Sequence, residues 1–274
     1  MSLCDVVSRL FPGKATGDMW QQQALLKRQE RTDDFYPSHK TVLNELFSGA
    51  DPYSGLQRRD MSWTENWRSS AGGHTKELRE LIESHLDAPV RFVVEVGSFI
   101  GTAAVRTWGP LALHSREPAV VLCVDTWLGD LNMRLLQQKQ FARFMRLEHG
   151  VPQLHRVFLD RVVSHNLTGI VLPLAMPSLS AARLLKIVRW RIDVVFVDSA
   201  HELGETLVEL FMYWRLLRPG GLLIGDDYRF FPAVRRDVRQ FTNCSGVKPQ
   251  FMGKQKNIWY MQKPSASPRS DSRL

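Results

Sequence analysis

The chain has 274 residues, 44% of them hydrophobic, enough for one large domain with an extension and for a sizeable core. No apolar run approaches the ~20 residues a membrane-spanning helix needs. Met1–Lys14 contains Asp5 and lacks a long apolar core with a small-residue cleavage site. A cytoplasmic protein is therefore expected, with organellar targeting left open. The net charge of +8 is uneven: residues 1–88 carry −2 and residues 89–274 carry +10. Basic clusters at 143–161, 186–191 and 229–239 fit either an anionic or nucleic-acid partner or solvated helix faces. Cys4, Cys123 and Cys244 are odd in number and show no metal-ligand spacing, so reduced, packed thiols are expected.

Residues 1–88 form an extension without strong strand signals. Met19–Arg31 and Ser38–Phe47 read as helices. Asp51–Ser70 reads as a loop carrying Trp63 and Trp67, which either cover a crevice as a lid or anchor packing. His74–His85 reads as an amphipathic helix, with Leu78, Leu81, Ile82 and Leu86 at helical spacing and Thr75 or a neighbour as its cap. From Arg91 short apolar runs alternate with helical stretches. Strands are predicted at Phe92–Val96, Ala119–Val124, Gly169–Leu174, Asp193–Val197 and Leu222–Gly225. Helices are predicted at Gly101–Leu113, Leu135–Glu148, Leu179–Val188 and Leu203–Leu217. Nearly continuous Val, Ile and Leu runs suit parallel strands buried on both faces, and the alternation implies an α/β sheet with right-handed crossovers. Pro249–Met252 and Asn257–Met261, joined by Gly253–Lys256, give a hairpin signal. Residues 263–274, rich in Ser, Pro and Arg, read as a disordered tail.

The first strand runs into Glu95-Val-Gly-Ser-Phe-Ile-Gly101 and then a helix. Two glycines permit a tight turn and close approach of a ligand to the backbone, beside the free N–H groups of a helix start; such a turn is also often just a turn. The spacing is G-x-x-x-G, not the dinucleotide G-x-G-x-x-G. It resembles the first motif of class I S-adenosylmethionine (SAM)-dependent methyltransferases. That resemblance implies a Rossmann-like fold with a mostly parallel seven-stranded sheet ending in an antiparallel hairpin over residues 89–262. It also implies that Gly97, Ser98 and Gly101 pass close to the methionine part of SAM, with Glu95 holding its ammonium end. The second strand ends in Asp125-Thr126-Trp127, where a carboxylate suits a ribose diol or caps a turn. Thr126 belongs to the same cofactor segment, and Trp127 and Leu128 are candidates to pack on the adenine. Ser178, after the third strand, either contacts the adenine or caps the next helix.

The fourth strand ends in Val197-Asp-Ser-Ala-His201 and the fifth in Gly225-Asp-Asp-Tyr228. If these strands are neighbours, Asp198, Asp226 and Asp227 converge at the carboxyl ends of the sheet, where ligands bind in open α/β folds. Three close carboxylates need a proton or a cation between them; all-oxygen ligation suits Mg²⁺ or a similar hard ion. The pattern resembles metal-dependent O-methyltransferases of the macrocin (sugar) and catechol types. The resemblance implies that Asp198, Asp226 and Asp227 are metal ligands and that His201 stands where the catechol type has its lysine base. A histidine serves that role near neutral pH without an extreme pKa shift. Each residue also has a plain reading as a strand-end acid or a cap. Tyr228, Arg229, Phe230 and Phe231 are candidates to line a substrate pocket.

The implied activity is methyl transfer from SAM to a hydroxyl of a small molecule, with Asp198 and His201 at the reacting end. A homo-oligomer is compatible with it, and a membrane partner is not expected. Two other readings stand beside this one. One is a metal-independent methyltransferase acting on nitrogen or RNA, and the other is a non-catalytic SAM-fold scaffold.

Overall fold

The computed structural model describes residues 35–65, 74–115, 117–131, 133, 141, 143–199, 201–253 and 256–265. Within the extension lie helices α1 (His39–Leu46), α2 (Ser62–Glu65) and α3 (Thr75–His85). The sheet contains β1 (Phe92–Val96), β2 (Val120–Asp125), β3 (Val171–Ala175), β4 (Ile192–Val197), β5 (Leu217–Gly225), β6 (Gln250–Phe251) and β7 (Trp259–Gln262). Its order is β3-β2-β1-β4-β5-β7-β6. β1 to β5 are parallel, and β7 runs antiparallel to both β5 and β6. The expected seven-stranded sheet with a terminal antiparallel hairpin is therefore present. Every residue of β1 and β4 is buried, as strands covered on both faces must be.

The connecting helices are α4 (a π-helical turn Ala104–Trp108 continuing as α-helix Gly109–Leu113), α5 (Leu154–Ser164), α6 (Ser178–Val188), α7 (Glu205–Leu216) and α8 (Pro232–Ser245). Right-handed crossovers put α4 and α5 on one face of the sheet and α6, α7 and α8 on the other. The strand order reverses between β1 and β4, and a crevice opens there at the carboxyl ends of the strands.

The extension is tied to the opposite end of the sheet. Asp193, fully buried at the start of β4, accepts through Oδ2 from the N–H groups of Arg91 (2.8 Å) and Phe92 (3.1 Å). Its Oδ1 accepts from the Tyr36 hydroxyl at 2.6 Å and from Arg218 Nε. Burial, with Asp193 beside it, pushes the Tyr36 hydroxyl up to about 12. Phe35 bridges to Trp190, and the Tyr53 hydroxyl donates to the Val171 carbonyl at 2.7 Å.

Several expectations need correction. Leu147–Glu148, read as helix, is instead one arm of a two-stranded antiparallel ribbon with Val151–Pro152; most of 134–142 lies outside the described residues. The N-cap of α3 is the neighbour His74, as one of the two readings had it, but without a side-chain cap bond, and the Thr75 hydroxyl contacts Arg106 O and Thr107 Oγ1. Helices α5 and α8 were not anticipated, because their arginines read as charge clusters. Each nevertheless has an apolar stripe: Leu154, Val157, Phe158 and Val162 in α5; Val234, Val238 and Phe241 in α8. Lys263, assigned to the disordered tail, is held by backbone pairing with Gly221 and by Nζ donation to the carbonyls of Trp214 (2.8 Å) and Leu217. Cys123 is free and buried, as a packed thiol should be, and Cys4 lies outside the described residues. The expected helix 19–31 and Trp67 lie outside the described residues.

Candidate active site

A cavity of about 1240 Å³ occupies the crevice, larger than the ~300–1,000 Å³ of an ordinary small-molecule pocket. Its lining combines both constellations read from the sequence: Glu95, Gly97, Ser98, Asp125, Thr126 and Ser178 from the first, Asp198, His201, Asp226 and Asp227 from the second.

The glycine loop is held in a demanding shape. Gly97, Phe99 and Gly101 all have positive φ, at 87°, 47° and 76°. For Phe99 that conformation costs of order 1 kcal/mol and needs support. The Asp125 carboxylate supplies part of it, accepting from Phe99 N–H (Oδ2, 2.8 Å) and Trp127 N–H (Oδ1, 2.7 Å). Asp125 thus ties the end of β2 to the loop while still facing the cavity. Burial raises its pKa and these backbone N–H groups oppose the rise.

The two glycines serve the fold more directly than expected. A Cβ on Gly97 would lie 2.2 Å from the Asp198 carbonyl oxygen, and one on Gly101 would lie 2.8 Å from the Phe158 ring. Gly101 is not part of the cavity lining. Nor is Trp127: it is 2% exposed, donates from Nε1 to the Phe99 carbonyl at 2.7 Å and packs on His155 and Phe158. The expected adenine contact of Trp127 is therefore replaced by a supporting role under the loop. Met176, Pro177 and Leu179 line the cavity on the β3 side instead.

Glu95 is 1% exposed, and its Oε2 has no hydrogen-bond partner. Burial pushes its pKa up to about 8, with Ser98 pulling the other way and Asp125 adding to the rise. An acid buried this way is costly to ionise without a partner. Ser178 is not an N-cap: that position is Pro177, with no side-chain cap bond. Ser178 instead lies beside Glu209, a buried acid of α7 that also accepts from the Ser199 hydroxyl. Glu209 lines the same cavity and was missed in the sequence. Its signal was an acid within the buried stripe of α7, Thr206, Leu207, Leu210 and Tyr213.

At the other end, Asp198, His201 and Asp227 offer ligand atoms all within 4.8 Å of one another. Asp226, expected as a third carboxylate ligand, stands outside this group. Its Oδ1 accepts from the Asp227 N–H at 2.7 Å and from Asn257 Nδ2. Asp227 has φ of 62°, so Asp226 and the hairpin residue Asn257 brace the strained turn that aims Asp227 into the cavity. No local sequence signal marks Asn257, because pairing of β7 with β5 delivers it from 31 residues away. Burial raises the Asp198 carboxyl far above the usual carboxylate range, with Asp226 and Asp227 adding to it.

His201 stacks on Phe231 at 4.0 Å, meets Asp227 Oδ2 through Nε2 at 2.8 Å, and places Nδ1 3.5 Å from Asp130 Oδ2. Burial alone would lower its pKa, but Asp130, Asp227 and Asp198 outweigh that and push it to about 10. With these carboxylates ionised the ring holds its proton more tightly than a free histidine does. Phe230 and Phe231 line the cavity. Tyr228 turns instead towards the hairpin, onto Phe251, and the Arg229 backbone N–H donates to Asn257 Oδ1 at 3.2 Å.

Residues 94–228 match the family model described as a methyltransferase domain. With the strand order and the loop motif, this identifies the sheet-forming part of the chain as a class I SAM-dependent methyltransferase domain. No curated protein sequence matches it. Among solved structures it is similar to CalS11, a calicheamicin methyltransferase, at 14% identity and a TM-score of 0.50, covering 93% of this chain and 95% of that one. It is similar at the same identity and TM-score to cofactor-bound Rv0187 from MTB, covering 97% and 99%. The fold is that of a methyltransferase. No helix of the described residues is long and apolar enough to cross a membrane.

Proposed function

We propose that the chain transfers the methyl group of SAM to a hydroxyl of a small molecule such as a sugar, phenol or natural product, with the help of a divalent cation. The observation that carries this reading is the shared cavity. The glycine-loop residues and the Asp198–His201–Asp227 group face one volume, so a methyl donor and a hydroxyl acceptor can meet there. In this reading Glu95 receives the SAM ammonium, Asp125 the ribose, and Ser178 with its neighbours the adenine.

The donor set fits a cation. Two ligands about 2.1 Å from one ion lie at most ~4.2 Å apart, so atoms already within 4.8 Å need only a small adjustment. Asp198 and Asp227 would be the carboxylate ligands and His201 the third donor, Asp198 and His201 each giving up a proton as the ion binds, while Asp226 braces them. An imidazole among the donors makes Mn²⁺ or another transition ion a better match than the Mg²⁺ expected from oxygen ligands alone. Such an ion supplies charge that lowers the pKa of a bound hydroxyl and orients it. The chain's own residues do the rest. Phe230 and Phe231 border the acceptor space, and the loop orients the donor for in-line attack.

The test is Mn²⁺ binding by calorimetry to wild type, Asp198→Asn and Asp227→Asn, followed by turnover in EDTA. Loss of binding and of turnover supports the reading. Turnover on RNA or on a nitrogen acceptor in EDTA would establish the metal-independent alternative, and failure to bind SAM at all would favour the scaffold.

A further inference from the structure

The short segment Ser62–Glu65 reaches the cofactor loop by two separate routes. Arg161 of α5 is fully buried; its Nη1 donates to the Ile100 carbonyl (3.1 Å) and to Thr102 Oγ1 (2.9 Å), and its Nη2 meets Glu65 Oε1 at 3.3 Å. Glu65 is also gripped by Arg106, whose Nη2 donates to Oε2 and, at 2.8 Å, to the Glu65 carbonyl, while His165 Nε2 stands 3.7 Å away. One carboxylate therefore faces three cationic or titratable groups, and one of them runs straight to the backbone of the glycine loop. The second route is aromatic. Trp63 stacks on Phe144 at 5.6 Å, and Phe144 meets Phe99 edge-on at 5.4 Å. Arg143 Nη1 donates to the Trp63 carbonyl at 3.2 Å and its guanidinium lies over Phe144.

A buried guanidinium needs a counter-charge. Arg161 has none among the described residues other than Glu65, and burial lowers its pKa while Glu65 raises it. The loop it supports contains a strained Phe99 and two positive-φ glycines, a shape that persists only when its surroundings determine it.

We propose that Glu65 is a positioning residue for SAM. It acts through Arg161 on the Ile100 carbonyl, so the N-terminal extension is a working part of the cofactor site. It touches neither SAM nor the acceptor. Docking of Ser62–Glu65 and binding of SAM are then coupled: each favours the other by the same factor. This rests on the loop being the SAM site, so wild-type SAM binding is measured first.

The experiment compares SAM affinity by calorimetry in wild type, Glu65→Gln and Tyr36→Phe, with amide hydrogen exchange at residues 97–102. Tyr36 ties the extension to Asp193 at the other end of the sheet and touches neither Glu65 nor the loop, so Tyr36→Phe controls for a purely structural loss. Glu65→Gln is expected to weaken SAM about tenfold, the factor that ~1.4 kcal/mol of lost coupling gives, and to speed exchange across the loop. Tyr36→Phe is expected to lower the melting temperature while SAM affinity stays within about twofold. A folded Glu65→Gln that binds SAM as wild type does, or equal losses in both variants, overturns the proposal. If Glu65→Gln does not fold, Glu65→Asp decides. Its shorter arm cannot hold Arg106 and Arg161 together, and unchanged SAM affinity there refutes the coupling.

Discussion

SAM binding should release a proton from Glu95. The carboxyl group belongs to a residue lining the cavity, one of its oxygens is buried without a hydrogen-bond partner, and burial pushes its pKa up to about 8. At pH 7 such a group is roughly nine-tenths protonated, and it must ionise to receive an ammonium. Calorimetry in two buffers of different ionisation enthalpy should therefore report about 0.9 proton released per SAM bound at pH 7. Affinity should tighten about tenfold between pH 6 and pH 7, because the ionised fraction rises tenfold over that unit. Glu95→Gln should abolish both the release and the slope. Measurements belong in EDTA, so that the Asp198 group does not contribute metal-linked protons. A pH-independent affinity, or a release below about 0.3 proton, would refute the assignment of Glu95 to the ammonium.

Without SAM, stability should fall as pH rises. Glu95 carries a folded pKa of about 8 against 4.5 for the free residue, so the folded state holds the proton more tightly. The stability it contributes is full below about 4.5 and is lost as pH rises through 8, worth up to about 5 kcal/mol. Denaturant titrations at pH 5 and pH 8 read this directly, and a more stable protein at pH 8 would contradict it. Asp193→Ala should destabilise the fold by about 3–5 kcal/mol, because it leaves buried Arg218 with only the exposed Asp87 as counter-charge and orphans Tyr36 and two backbone N–H groups; a loss under about 1 kcal/mol would be inconsistent with that network. Gly97→Ala should cost far more than Gly55→Ala. Both have positive φ, but only the first adds a Cβ 2.2 Å from backbone oxygen, whereas the second meets nothing within 4 Å. Gly55→Ala should cost about 1–2 kcal/mol, and equal losses in the pair would show that the β1–β4 packing yields.

The elements most legible in the sequence were those fixed by local pattern. Phe92–Val96 is a strand because five buried residues leave no amphipathic alternative, and the glycine loop follows because its turn needs positive φ. Helices α5 and α8 were obscured because buried or surface arginines sit beside their apolar stripes, Arg161 being the clearest case. Within the site, strand adjacency was enough to bring Asp198 near Asp226 and Asp227. What strand adjacency does not specify is which carboxylate faces inward. That depends on the Asp227 turn and on Asn257 arriving from the hairpin. The pKa of His201 was likewise illegible, since Asp130 approaches from a different loop. Trp127 was misplaced because only the fold shows Phe158 and His155 waiting beneath it.

The most direct test of the central claim is mass spectrometry of a pool of hydroxyl-bearing small molecules incubated with the protein and methyl-labelled SAM. The account predicts labelled methyl ethers that disappear in EDTA, return with Mn²⁺ or Mg²⁺, and are absent with Asp198→Asn. Label appearing on nitrogen, or methyl ether formation undiminished in EDTA, would contradict it.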